Sequence, residues 1–207
     1  MAAEEVIITG NKKEGAFSQL KASTTLNLTM DANGKVSTGD TKAMSKSDKK
    51  LLEVINSTKI QVNVNVTDSN YYNGTDTPLV IGAYEGSTID KSGKVIANQT
   101  INTVQAGITD EFYNMGGGST TKHEVLEAYI GAEKSPGISV NLNNRYDVKS
   151  KEYKAYFKAH TQAMKLDFNF VQPNVEPFTS KGLYLMKPHS NPKFKITQAK
   201  LINDKTR

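Results

Sequence analysis

Apolar and polar residues alternate strictly along Ile60-Gln61-Val62-Asn63-Val64-Asn65-Val66. That period of two predicts a half-buried strand, with Ile60, Val62, Val64 and Val66 on its inner face. Ahead of it, Ser47 to Ile55 has helical spacing, with Ser47 as the expected N-cap and Leu51, Leu52 and Ile55 as the inner stripe. Two segments echo each other, Thr29 to Val36 (TMDANGKV) and Thr88 to Val95 (TIDKSGKV). Each sets Asp and then Gly between alternating flanks, the chemistry of a hairpin turn. Asp31 to Gly34 lacks the further carboxylates of a calcium loop. A strand over Pro78 to Tyr84 is expected to pair with the second hairpin, and Asn70 to Asp76 reads as the polar loop leading into it.

Beyond residue 110 the period changes. Ser119 to Glu133 predicts a helix stopped by Pro136 and Gly137. Lys149 to Leu166 predicts a longer one, with Tyr153, Tyr156, Phe157, His160 and Met164 as its inner face. The remainder carries prolines at 173, 177, 188 and 192, with short strand-like runs at Leu183 to Met186 and Phe194 to Ile196. This order predicts an α+β fold: a β-rich first half forming a twisted mixed or antiparallel sheet, two helices, then an irregular tail. Residues 1–45 read as an N-terminal β arm or hairpin, a possible docking segment; residues 46–207 read as one α+β domain.

Composition narrows the chemistry. The chain of 207 residues has no cysteine, so disulfides and thiolate metal sites are excluded. Its net charge of +5 is almost all lysine, Arg145 and Arg207 being the only arginines, so nucleic-acid readout is not expected. The tail from Lys181 is basic, which usually means a solvated surface. No apolar run approaches a membrane span. The opening MAAEEVIITG has neither a basic n-region nor an apolar h-region. The expectation is a soluble protein made in the cytoplasm without a signal peptide, with a virion location, release by lysis or delivery by a dedicated secretion system left open.

After Gly116-Gly117-Gly118 the chain reads STTKHEVLEAYIGAE. Four residues apart on a helix, His123 and Glu127 project from one face and can share a metal ion. Zinc accepts carboxylate oxygen as well as imidazole nitrogen, and His160 on the next helix is the best third ligand. His123, Glu127 and His160 would make a His2Glu set, with Glu124 as general base beside the first ligand. The strand before the helix, or Gln105 to Ile108, could hold an extended substrate by edge pairing. The plainer reading competes at every position. Thr121 to Glu124 fits a capping box, Glu127 a surface carboxylate, His160 a core histidine, and the glycine run a linker where the functional reading makes it a rim loop.

The run His123-Glu124-Val125-Leu126-Glu127-Ala128-Tyr129, followed by Ala159-His160, resembles a group of zincin-like domains carrying HEVxEAY and a later AH. Such domains occur at the C-termini of Rhs-type and other polymorphic toxins of Bacteroidetes, and similar sequences occur in phages of those bacteria. The resemblance covers about residues 50 to 190 and implies a zincin-type α+β fold, an active-site helix and a backing helix. It implies a metal at His123, Glu127 and His160, and the role of base for Glu124.

Two functions follow as expectations. One is a zinc-dependent, peptidase-like hydrolase acting on a peptide or protein. The other is a non-catalytic phage virion protein on the same scaffold, such as a capsid-decorating subunit whose partners are capsid or other assembly proteins.

Overall fold

The alternating run folds as a strand, Ile60–Thr67, with Ile60, Val62, Val64 and Val66 all buried. Residues 6–39, 45–72, 77–140, 147–167, 170–177, 184–187 and 199–201 are described in this computed structural model, with side chains through Pro173. In chain order the elements are β1 (Val6–Gly10), α1 (Lys13–Ala22), β2 (Leu28–Met30), β3 (Lys35–Thr38), α2 (Lys46–Ile55), β4 (Ile60–Thr67), β5 (Gly82–Ile89), β6 (Val95–Asn102), α3 (Thr103–Phe112), α4 (Ser119–Lys134) and α5 (Lys151–Leu166). A small antiparallel sheet follows, of β7 (Asn174–Pro177), β8 (Tyr184–Lys187) and β9 (Ala199–Leu201).

The main sheet is mixed, with strand order β2-β3-β1-β4-β6-β5. β1, β4 and β6 run parallel, while β5 lies antiparallel to β6 at one end. Register puts Val6 and Ile8 beside Val62 and Val64, and Val62, Val64 and Val66 beside Ala97, Gln99 and Ile101. Across β1, β4 and β6 this face is therefore apolar except for Gln99. Of residues 1–45, expected as an N-terminal β arm or hairpin, the stretch 6–38 builds three strands of this same sheet, with β1 between β3 and β4.

The two echoed segments are the same turn used twice. Asp31 Oδ1 accepts from the amides of Asn33 and Lys35, and Asp90 Oδ1 from those of Ser92 and Lys94. Gly34 and Gly93 then take the left-handed conformation at φ 82° and 85°.

Several expected details shift. α2 is capped by Ser45, whose side chain accepts from the Asp48 amide; Ser47 lies inside the helix. Its inner stripe is Leu51, Val54 and Ile55, with Leu52 half-buried. The strand expected from Pro78 starts later, at Gly82. Gln105 to Ile108 is not extended: it lies within α3, whose N-cap Asn102 accepts from the Gln105 amide. A capped helix uses its own amides, so this segment has no edge to offer. α5 buries Ala155, Ala159 and Ala163, not its aromatic residues; Phe157 is half exposed, stacked on Tyr153. Of the strand-like runs in the tail, Leu183 to Met186 corresponds to β8, and Phe194 to Ile196 lies outside the described residues, as does most of the basic tail.

At the centre runs α4. Thirteen of its sixteen residues are buried, so no face of it is left to water along most of its length. Its N-cap, Gly118, has no side chain to offer and sits at φ 82°. Asp110 of α3 substitutes for it, accepting from the Gly118 amide at 2.7 Å and from the amide and hydroxyl of Thr120 at 2.8 and 2.6 Å. A Cβ at Gly118 would fall 1.7 Å from the carbonyl oxygen of Gln19, so the glycine run is a turn fitted against α1. At the other end of the helix, Gly131 admits the ring of Tyr84 from β5; a Cβ there would lie 2.3 Å from the ring. Alanine at an exposed helical glycine normally gains about 1 kcal/mol. Gly131→Ala is expected instead to cost about 1–3 kcal/mol through overpacking, read as a lower midpoint in chemical denaturation.

Candidate metal centre

α4 and α5 lie against each other and bring three ligand-type side chains to one point. His123 and Glu127, one helical turn apart, point the same way; His123 Nε2 is 3.3 Å from Glu127 Oε2. From α5, His160 Nδ1 reaches 2.5 Å from the same carboxylate oxygen and 3.2 Å from His123 Nε2. His123 and Glu127 are fully buried, and the His160 side chain retains 14% exposure.

The donor set suits a metal. Two ligands at 2.0–2.1 Å around a tetrahedral ion stand about 3.3 Å apart. Two of the three separations here already have that value, and the third is a charged hydrogen bond that an ion would replace. His123 Nδ1 has no hydrogen-bond partner among the described residues, so its Nε2 is the atom engaged with the cluster. His123, Glu127 and His160 thus form a buried cluster capable of coordinating a metal ion.

Protonation in the metal-free cluster follows from burial and contact. Burial holds the His123 imidazole below its ordinary value, against the hydrogen bond and charge of Glu127. For Glu127 burial works the other way, yet the hydrogen bonds and charges of the two histidines outweigh it and hold the carboxyl low. Burial also opposes charge on His160, but the hydrogen bond and charge of Glu127, with help from Gln172 and Glu124, push it up to about 9. Burial thus disfavours charge on His123, whereas contact with the Glu127 carboxylate favours charge on His160.

Glu124 is not a cap. α4 begins at Ser119, so Thr121 is already helical, and its hydroxyl donates to Gln19 Oε1 at 2.7 Å. Glu124 instead lies over the sheet, its Oε2 accepting a short hydrogen bond from the side-chain amide of Gln99. It rests against Gly82 of β5, where a Cβ would stand 2.3 Å from Oε2 and displace the carboxylate. The negative charge of Glu124 also acts on His160, as the smallest of the influences that raise it.

Sequence reasoning missed the groups around these four residues. Lys122 is buried, with Nζ 2.9 Å from Asp167 Oδ2, 2.7 Å from the Ser23 carbonyl and 3.1 Å from Ser47 Oγ. It ties the start of α4 to the end of α5. Just past α5, Phe170 stacks flat on His123 with ring centroids 3.7 Å apart, and Gln172 Oε1 accepts from His160 Nε2. No local pattern marks Phe170 or Gln172. Gln99 did leave a signal: it is the polar residue between Ala97 and Ile101 on an otherwise apolar face.

No protein-family model, no curated protein and no solved structure matches the chain. Among the described residues no helix is long and apolar enough to cross a membrane.

The protonation pattern has a measurable result. The folded His160 lies above its ordinary 6.5, so its contribution to stability is full below pH 6.5 and lost as pH rises through about 9. Glu127 is lowered from 4.5, so its contribution is full above pH 4.5 and lost as pH falls further. Protein stripped of metal should therefore lose thermal stability between pH 6.5 and 9, and Glu127→Gln should flatten that slope. With saturating zinc the trend should weaken or reverse, because metal binding releases the His160 proton.

Proposed function

We propose that the chain is a zinc-dependent hydrolase of zincin-like design, acting on peptide bonds, with His123, Glu127 and His160 as ligands and Glu124 as general base. The observation that carries this reading is the convergence of a buried His2Glu set with a neighbouring glutamate that has no capping duty. When bound there, zinc would act as a Lewis acid on the substrate carbonyl and on water.

The chain's own groups supply the rest. Glu127 contributes the charge that offsets a dication, and the two imidazoles complete the donor set. Glu124 takes the proton of the attacking water on its carboxylate and returns it to the departing amine. Gln99 holds that carboxylate in one orientation, and Gly82 leaves room for it.

Two features of the sheet support the zincin-like and peptide parts of the reading. β5 is an antiparallel edge strand beside the helix that carries the glutamate. Among the described residues its outer side is bridged at Gly86 by Ser139, with no strand beside Gly82 to Tyr84. Ala83 and Tyr84 are almost fully covered, so an extended peptide could pair only at the Gly82 end of that edge, next to Glu124.

Glu124→Gln tests the assignment. It should retain one zinc per chain and lower kcat about 10²–10⁴-fold on a cleavable peptide or protein. Unchanged hydrolysis in the zinc-loaded variant would remove Glu124 from the chemistry. Metal-replete expression that yields protein without zinc, nickel or iron would remove the metal from the reading altogether.

A further inference from the structure

His160 is held from both sides. Its Nδ1 faces Glu127 and His123, and its Nε2 meets Gln172 Oε1. An imidazole can offer a metal only a nitrogen that carries no proton, and the partner of the opposite nitrogen decides which one that is. The amide oxygen of Gln172 can only accept, so it keeps a proton on Nε2 and leaves Nδ1 as the coordinating atom. His123 presents the opposite nitrogen, Nε2, toward the same point. We propose that Gln172 is a positioning residue for the metal centre: it fixes His160 in the tautomer that ligates through Nδ1, so that the two histidines bind by different nitrogens.

The placement of Gln172 gives the proposal its physical sense. α5 must bring His160 to a carboxylate oxygen on α4, and that oxygen lies 2.5 Å from Nδ1, the ring nitrogen nearer the backbone. The far nitrogen points away from the cluster toward the segment that follows the helix. That segment is anchored: Asp167 pairs with Lys122, the Phe170 amide donates to the Asp167 carbonyl at 3.0 Å, and Phe170 lies on His123. Gln172 thus reaches His160 from a fixed stretch of chain. It is itself exposed, so it contributes little burial of its own.

This inference rests on the metal reading, and the experiment separates the two. Zn²⁺ affinity is measured by chelator competition in the full chain, in Gln172→Leu and in Gln172→Glu. The leucine variant should bind about 10–100-fold more weakly, while glutamate, which still accepts from Nε2–H, should stay close to the parent. In the metal-free protein the leucine variant should lose only the hydrogen bond to His160, so its chemical-denaturation midpoint should fall slightly and no more than in a His160→Ala variant, which a packing role would not allow. In ¹⁵N-histidine protein loaded with ¹¹³Cd, one-bond coupling should appear at Nδ1 of His160 and at Nε2 of His123. Coupling at Nε2 of His160, or equal Zn²⁺ affinity in parent and leucine variant, overturns the role of Gln172 and leaves the metal centre standing. A parent chain that takes up neither metal overturns both.

Discussion

The fold depends on what it takes to bury α4. The helix carries Thr120, Thr121, Lys122, His123 and Glu127 into the interior, and each would be costly there without a partner. Every neighbouring helix supplies one. α3 gives Asp110 to the helix start, α1 gives Gln19 and the Ser23 carbonyl, α2 gives Ser47, and α5 gives His160 and, at its end, Asp167. A helix buried all round is usually apolar; this one is half polar, and its partners fix the places of the elements around it.

The candidate centre is one consequence of the same constraint. A carboxylate far from water can stay charged only if cations or strong donors surround it. Glu127 meets that condition with two imidazoles, and the same geometry is the one a dication would use. Glu124 shows the contrast one turn away. It is half-buried, is held by a neutral amide, and lies over a glycine. Two glutamates three residues apart thus sit in unlike surroundings, one bonded to two imidazoles and the other to a neutral amide above a glycine.

Much of this was legible in the sequence where a local period carried it. The β4 alternation, the twin Asp–Gly turns, the limits of α4 and the trio His123, Glu127 and His160 all follow from spacing along one or two elements. Long-range compensation was not legible. The N-cap of α4 comes from Asp110 on another helix, so a nearby Thr–Glu pair looked like the cap in its place. α3 was hidden because Thr, Val, Ile and Gly favour other conformations, and its amides are captured by Asn102 at the end of a strand. α1 was hidden because only Ala16 and Leu20 of its ten residues are buried. For α5, large aromatics at helical spacing suggested the inner face, whereas the buried stripe is alanine.

That alanine stripe sets a dimension. With Ala155, Ala159 and Ala163 turned inward and almost wholly covered, little side-chain bulk separates α5 from its neighbours. Side chains at the contact govern how closely helices approach, and small ones allow the shorter spacings. A histidine on a closely set helix reaches its target with the near side of its ring; one on a more distant helix would need the far side. The methyl groups of α5 thus let it lie near enough to its neighbours for the near nitrogen of His160 to stand 2.5 Å from Glu127 Oε2 and 3.2 Å from His123 Nε2.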